Sequence, residues 1–147
     1  MFTVAGYELD RTRRYDQQRN LWVDELGAGK VRIGLDPLGA QTAGDIVAIS
    51  FAPLGAELRV GDTFATIEAA KFVGPLHAPV SGTVASVSNR ALLAPGAINA
   101  DPFGVWLIEL AGVQTAELEP LLFGEAAVRP WFERAVERLR SEGVIAE

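Results

Sequence analysis

The sequence of 147 residues has no cysteine and a single histidine, His77. The absence of cysteine excludes disulfide bonds, thiolate-ligated zinc, iron–sulfur clusters and a cysteine nucleophile. One histidine leaves no second imidazole for a histidine-based metal site or relay, so we expect no metal ion. Lysine is also scarce, because eleven of the thirteen basic residues are arginine and only Lys30 and Lys71 are lysine.

Long apolar runs and an excess of positive charge are missing as well. The longest weakly polar stretch, residues 46–58, is interrupted by polar residues and is too short to span a bilayer. The first ten residues contain neither a basic segment nor a long apolar one, so they show no secretory signal. The net charge of −6 disfavours binding to a nucleic-acid backbone. We therefore expect a cytoplasmic protein with no membrane or nucleic-acid partner.

Short β-type runs separated by Gly, Pro and Asp dominate the middle of the chain. Six such runs are present, at residues 21–26, 30–35, 45–51, 64–67, 82–87 and 105–110. Several short strands with frequent turn signals predict a β-sandwich or barrel. A short helix is predicted at Pro37–Ala43, since Asp36 can cap it and Pro37 suits its first position.

Composition divides the chain into three predicted parts. Residues 1–20 form an N-terminal extension, residues 21–112 a β domain, and residues 113–147 a C-terminal helical extension. In the first part, residues 2–9 predict an edge strand, whereas the arginine-rich residues 10–20 predict a solvated loop.

The last part predicts an amphipathic helix. Pro130 is expected to open a helix over residues 131–142, because proline suits the first helical position. Phe132, Val136 and Leu139 fall on one face of this helix at spacings of four and three. We expect this face to pack on the domain, and a partner-binding helix is the alternative.

The most informative segment is centred on Lys71. This lysine lies ten residues after Gly61 and eleven before Gly82, and both glycines are predicted to form turns. If residues 69–72 form a tight turn, Lys71 is displayed in water at the tip of a β-hairpin. A flexible lysine stem on a rigid hairpin suits a group that other enzymes must modify and visit.

The same segment resembles the biotinyl/lipoyl attachment domains. The resemblance rests on Gly61-Asp62, on Glu68 three residues before the lysine, and on Ala78-Pro-Val-Ser-Gly82 after it. It implies a mainly β, flattened barrel-sandwich fold of lipoyl type, with short helices that are mainly C-terminal. It also implies that Lys71 carries lipoate or biotin through an amide bond. The glycine frame, that is, Gly61 and Gly82 at their spacings from the lysine, is common to both kinds of domain and does not distinguish the two cofactors.

The flanking residues are similar to the glycine cleavage system H-protein family. They include Asn99-Ala-Asp-Pro-Phe-Gly-Val-Trp-Leu-Ile-Glu-Leu110, together with Leu21-Trp-Val23, Val31-Arg-Ile-Gly-Leu35 and Gly44-Asp-Ile-Val47. Biotin domains lack these flanks and typically have methionine on both sides of the lysine, where this chain has alanine and phenylalanine. The resemblance implies lipoate on Lys71 and a carrier that performs no catalysis with its own side chains.

Membership of that family would also imply a set of partners. A lipoyl ligase or lipoyl transferase would attach the cofactor. Glycine decarboxylase would load an aminomethyl group, an aminomethyltransferase would remove it, and dihydrolipoamide dehydrogenase would reoxidise the arm. The exposed disulfide of lipoate exchanges by thiolate attack, and a chain without cysteine offers no competing thiol.

Several further residues have two interpretations. Glu68 is a candidate for recognition by a lipoyl ligase or simply a solvent-facing strand residue, and Phe72 is a candidate aromatic contact for a partner. For His77 a structural or surface role is favoured over proton shuttling. Trp22 and Trp106 are predicted to lie in the core, given their apolar neighbours.

Two alternatives to glycine cleavage stay open at the level of the sequence. The run Phe72-Val-Gly after the lysine is similar to the H-protein-like lipoate-binding proteins of bacterial sulfur oxidation. In those proteins the arm would serve a heterodisulfide-reductase-like complex. The other alternative is a biotin carrier or an unmodified interaction module with the same fold.

Overall fold

The computed structural model describes residues 1–146 and contains, within them, twelve β-strands and five helices. The strands are β1 (Phe2–Val4), β2 (Tyr7–Leu9), β3 (Arg14–Asp16), β4 (Leu21–Gly27), β5 (Lys30–Leu35), β6 (Ile46–Phe51), β7 (Glu57–Leu58), β8 (Thr63–Ala69), β9 (Val73–His77), β10 (Gly82–Val87), β11 (Ile108–Ala111) and β12 (Leu122–Phe123). The helices are α1 (Pro37–Ala43), α2 (Asn89–Leu93), α3 (Gly96–Ala100), α4 (Thr115–Leu118) and α5 (Glu125–Ser141). None of these helices combines the length and the apolar character that crossing a membrane requires.

Two antiparallel sheets pack face to face around the main core. The larger sheet has seven strands in the order β12-β3-β4-β5-β11-β10-β7, and the smaller has three in the order β6-β8-β9. Val31, Ile33 and Leu35 alternate along β5 and point into the core, where they join Phe64 and Ile67 from β8. The predicted mainly β sandwich with short helices is therefore confirmed.

A second apolar cluster covers the other face of the seven-stranded sheet. Along β4, Leu21 and Val23 belong to the main core, whereas Trp22 between them belongs to the second cluster. Helix α5 and the hairpin β1–β2 supply most of the remaining side chains of this cluster. Arg129 of α5 donates a hydrogen bond to the Thr3 carbonyl at 3.0 Å, so the hairpin and the helix form one layer.

Helix α1 has the bounds and the cap that the sequence predicts. Asp36 is extended, and its carboxylate oxygen accepts a hydrogen bond from the Gly39 amide at 2.7 Å. Pro37 occupies the first turn, where its missing N–H costs no helical hydrogen bond. The helix ends at Ala43 and is followed by the C-cap residue Gly44, whose φ of +76° is strained for any residue with a Cβ.

The prediction of a solvated loop at residues 10–20 is wrong in part, because strand β3 lies within it. Tyr15 is fully buried, and its hydroxyl donates to the Asp10 carbonyl at 2.7 Å. Arg14 in the same strand contacts Glu25 at 2.8 Å. Because ion pairs hold the arginines at the surface of the sheet, a charged run can still form a strand around a buried tyrosine.

The segment at residues 2–9 is a hairpin rather than one edge strand. Strands β1 and β2 pair antiparallel across a turn at Ala5 and Gly6, and both residues have positive φ. The prediction gave more weight to the apolar residues on either side than to Gly6, which is the turn signal at this reversal.

Strands from all three predicted parts of the chain share the seven-stranded sheet. Strand β3 comes from residues 1–20 and pairs with β4, while β12 comes from residues 113–147 and pairs with β3. The division into an N-terminal extension, a β domain and a C-terminal extension stays a prediction.

The prediction that Pro130 opens the last helix is wrong. Helix α5 begins at Glu125 and contains Pro130 in its interior. A residue with an N–H at this position would donate to the Ala126 carbonyl, so the proline removes one helical hydrogen bond. Val128 and Trp131, on either side of the proline, are buried in the second cluster and offset this loss.

Candidate functional site

Lys71 lies at the tip of the β8–β9 hairpin. The Ala69 amide donates to the Phe72 carbonyl at 2.9 Å and closes a four-residue turn around Ala70 and Lys71. Lys71 is exposed to solvent. The side chain therefore projects from a strand reversal into water, where another protein can reach its amine.

The backbone of this turn is tied to a neighbouring segment of the fold. The Lys71 amide donates to the Ala43 carbonyl at 2.8 Å, and the Ala70 amide donates to the Asp45 carbonyl at 3.0 Å. The β6–β8 pairing begins immediately beside the turn, with Ile46 opposite Ala69. The end of α1 and the segment before β6 therefore hold the backbone of the turn by hydrogen bonds, which fixes the position of the Lys71 Cα atom.

Gly61 and Gly82 have different structural roles. Gly61 has a φ of +91° in the turn before β8, and its amide donates to the Ala78 carbonyl at 2.8 Å. Gly82 lies in no turn, contrary to the prediction, because it is the first residue of β10. A Cβ on Gly82 would lie 2.9 Å from the Ala111 carbonyl oxygen, so close strand packing is what requires glycine there.

Glu68 and Phe72 flank the lysine on the same hairpin. Glu68 is exposed on β8, opposite Val73 of β9. Phe72 is 41% exposed, and a Cβ on Gly74 would lie 3.1 Å from its ring, so the ring leans over this glycine. An acidic and an aromatic side chain are thus both accessible beside Lys71.

A groove of about 310 Å³ begins at Lys71 and Phe72 and extends to the turn between β3 and β4. Its lining residues are Gln18, Arg19, Asn20, Leu21, Leu35, Gly39, Thr42, Ala43, Ile67, Lys71, Phe72, Pro75, Leu76 and His77. None of these lining residues is an aspartate or a glutamate. The lining thus combines apolar and uncharged polar side chains with the basic side chains of Arg19, Lys71 and His77.

The two basic groups at the far end of the groove have defined partners. Arg19 contacts the Asp16 carboxylate at 2.9 Å. His77 is exposed, and its Nδ1 donates to the Gly61 carbonyl at 3.0 Å. Sequence reasoning missed Arg19, because the packing of the two sheets brings the β3–β4 turn beside the hairpin of Lys71, and no local pattern records that packing.

The other lysine, Lys30, also lies beside a hairpin turn. It pairs with Gly27 across the β4–β5 reversal, where Ala28 and Gly29 both have positive φ. Lys30 is exposed as the first residue of β5, whereas Lys71 lies within its turn. Exposure at a hairpin end therefore does not distinguish the two lysines, and the residues around each of them must do so.

The two tryptophans predicted to lie in the core differ in burial. Trp22 is 1% exposed, and its indole N–H donates to the Pro102 carbonyl at 3.0 Å. Trp106 is only half-buried, and the Arg32 guanidinium lies 4.6 Å above its ring. The prediction therefore holds only in part for Trp106, which packs against the second cluster at its edge while the Arg32 guanidinium covers its ring. Across residues 1–146 no group of three His, Cys, Asp or Glu side chains is arranged to hold a metal ion.

Comparison with known proteins gives consistent matches. A family model described as Glycine cleavage H-protein matches residues 13–133. The glycine cleavage system H protein of Micrococcus luteus is 37% identical over 106 residues, which cover 71% of this chain and 83% of the relative. That of Vibrio vulnificus is 30% identical over 114 residues, which cover 77% of this chain and 90% of the relative. A crystal structure of a glycine cleavage system H protein from Mycobacterium marinum matches with a TM-score of 0.68 and 25% identity, over 92% of this chain and 99% of that one.

Proposed function

The chain belongs to the glycine cleavage H-protein family, and from this premise we propose that Lys71 carries lipoate and presents it to the enzymes of glycine cleavage. The family consists of non-catalytic lipoyl carriers. The observation that carries the proposal is the position of Lys71, exposed within a turn whose backbone is hydrogen-bonded to the Ala43 and Asp45 carbonyls.

The residues around Lys71 fit an amide-linked lipoyl group. The amine is accessible to an acylating enzyme, and the groove beside it offers Leu35, Ile67 and Leu76 to the hydrocarbon part of an arm. When bound, lipoate supplies a cyclic disulfide that exchanges with thiols. The chain itself positions the root of the arm and leaves its outer part free to reach partner enzymes.

We propose that Glu68 and Phe72 form the recognition surface on this hairpin. A lipoyl ligase or lipoyl transferase must reach the amine past these two side chains. Glycine decarboxylase, an aminomethyltransferase and dihydrolipoamide dehydrogenase would dock in turn over the same tip. An exposed carboxylate beside an exposed ring gives such partners one charged and one apolar contact.

Mass spectrometry of the intact protein tests the attachment site. The wild-type protein and the K71R and K30R variants are each expressed with a lipoyl ligase and lipoate. We expect the wild type and K30R to gain one lipoyl group and K71R to gain none, since guanidinium is not acylated. Lys30 is a matched control because it is the other lysine and is also exposed at a hairpin end. An unmodified wild type, or a biotin adduct on Lys71, would refute the proposal.

A second candidate function is that of the H-protein-like lipoate-binding proteins of sulfur oxidation, and the groove favours it. An aminomethyl group is basic and pairs best with a carboxylate. The residues that line the groove include no aspartate or glutamate, so the groove offers no carboxylate to pair with an aminomethyl group. A heterodisulfide-reductase-like complex would then be the partner.

The exchange of bicarbonate into glycine separates the two candidates. Fully lipoylated protein is mixed with glycine decarboxylase, and the incorporation of labelled bicarbonate is measured. Stimulation over a K71R control supports the role in glycine cleavage. No stimulation by protein that carries the lipoyl group would favour the second candidate.

A further inference from the structure

Asn99 on α3 makes hydrogen bonds with both ends of its side-chain amide. Its Nδ2 donates to the Gly44 carbonyl at 2.8 Å and to the Ala40 carbonyl at 3.2 Å. Its Oδ1 accepts from the Ile46 amide at 2.9 Å. We propose that Asn99 is a positioning residue for Lys71, which acts by holding the segment from residue 43 to residue 46 that supports the attachment turn.

Contacts to Asn99 and to the attachment turn alternate along that segment. Asn99 binds the Gly44 carbonyl and the Ile46 amide. The carbonyls of Ala43 and Asp45 accept the Lys71 and Ala70 amides. One side of the segment therefore faces the asparagine and the other faces the attachment turn, and a displacement of the first side moves the second.

Asn99 and the attachment turn both donate hydrogen bonds to the end of helix α1. The carbonyls of its last turn have no partner within the helix. Asn99 donates to one of these carbonyls, that of Ala40, and the Lys71 amide donates to another, that of Ala43. The asparagine and the attachment turn thus cap the same helix end, which couples their positions.

Gly44 lies in close contact with Lys71. A Cβ on Gly44 would lie 3.2 Å from Lys71 Cγ and 3.3 Å from the Lys71 amide nitrogen. Residue 44 is thus packed directly against the lysine stem. The Asn99 side chain binds the Gly44 carbonyl, and it therefore fixes the position of the backbone against which the lysine stem packs.

Hydrogen exchange in the wild-type protein provides a test that needs no substitution. The amides of Ile46, Ala70 and Lys71 are all bonded within this arrangement. If Asn99 holds the segment, opening of the segment releases all three, and we expect their protection factors, in which each exchange rate is corrected for the intrinsic rate of that amide, to agree within about threefold. A Lys71 amide that exchanges independently of the Ile46 amide would overturn the proposal.

The variants N99D and N99A test the same point directly, and N89A is the control because Asn89 is exposed on the neighbouring helix α2. Aspartate keeps the acceptor for Ile46 but places a carboxylate oxygen against the two carbonyls. We expect exchange at Ala70 and Lys71 to rise about tenfold or more in both variants, while core amides of β5 stay protected. Unchanged protection at Lys71 in both variants would contradict the proposal.

The rate of lipoylation supplies a readout that a purely structural role would not move. The inference rests on the proposed function of Lys71, so ligase kinetics are measured on the full chain. We expect kcat to fall about fivefold or more in N99D while KM changes little, since the variant keeps both recognition side chains, Glu68 and Phe72, and loses only the fixed position of the amine. A change in KM alone, or none in either constant, would refute a positioning role.

Failure of this inference can be separated from failure of the proposed function. Hydrogen exchange reports the coupling of Asn99 to the Lys71 turn whether or not the lysine is acylated. If wild-type protein is not lipoylated, the proposed function fails while the exchange data still decide the coupling. If both Asn99 variants unfold, the comparison of wild-type protection factors at Ile46, Ala70 and Lys71 decides whether Asn99 is coupled to the turn.

Discussion

Asp36 is a carboxylic acid that the fold buries completely. One oxygen accepts from the Gly39 amide and caps α1, but the other has no hydrogen-bond partner among the described residues. Burial, opposed by the Gly39 and Leu38 amides and aided by the nearby Asp16 carboxylate, raises the pKa of Asp36 to about 7. The side chain is therefore held in its neutral form under mildly acidic conditions, at the base of the helix that supports the Lys71 turn.

The D36N variant tests this titration. In the unfolded chain the proton leaves near the ordinary pKa of 3.8, whereas the native carboxyl keeps it until about pH 7. The native state therefore binds more protons in this window, and the wild-type free energy of unfolding falls by on the order of 1 kcal/mol per pH unit as the pH rises through it. Asparagine does not titrate and still accepts from the Gly39 amide.

Urea unfolding of the two proteins at about pH 5 and about pH 8 checks the expectation. The variant should gain stability relative to the wild type at the higher pH. An equal difference between the two proteins at both pH values would show that Asp36 does not titrate in this range.

At the residue scale, the sequence singles out Lys71 but not the residues that position it. The glycine frame and the flanking motifs are local patterns, so they are readable without a structure. Arg19 and Asn99 reach the site only through pairing and packing of distant segments. Asn99 is the first residue of one of the flanking motifs, but the spacing of residues in that motif does not predict its hydrogen bonds to α1 and β6.

Helix α5 is held to the protein by one apolar face. Phe132 and Val136 are buried in the second cluster, and Leu139 packs against it, as the spacing of these residues predicts. The rings of Tyr7 and Trp131 each lie 5.5 Å from the Phe132 ring, edge to face. Phe132 therefore links α5 to the β1–β2 hairpin through Tyr7 and contributes to the stabilisation that the helix gives to the hairpin.

Truncation of this side chain measures that stabilisation. We expect F132A to lower the free energy of unfolding by about 3–5 kcal/mol, because it opens a cavity among rings that cannot collapse. The control is E137A on the exposed face of the same helix, which should change stability by less than about 0.5 kcal/mol. Chemical denaturation gives both values, and comparable small losses in the two variants would be inconsistent with the packing described.

Prediction succeeded where an element is defined by its own residues. Helix α1 and strand β5 have their predicted bounds, because the cap at Asp36 and the turn at Gly29 mark them locally. Strand β3 was missed because its partners β4 and β12 stabilise a charged segment that would not form a strand alone. The start of α5 was misplaced because burial on both sides of Pro130 outweighs one lost hydrogen bond.

The whole molecule has three layers with the seven-stranded sheet in the middle. The small sheet that carries Lys71 lies on one face, and α5 with the β1–β2 hairpin lies on the other. Because the second cluster does not line the attachment turn, we expect F132A to be lipoylated within about twofold of the wild-type rate under conditions where it is folded. A large loss of lipoylation in folded F132A would show that the outer layer reaches the attachment turn.

The three backbone hydrogen bonds of the attachment turn have a consequence for transport. Any group joined to the Lys71 amine moves on a tether with a fixed anchor, so the length of the arm alone sets the volume that it sweeps. For a docked partner, that volume determines the effective concentration of the group at the partner's active site. A mobile anchor would enlarge the volume and dilute the group, so these bonds leave the length of the arm as the quantity that sets encounter frequency.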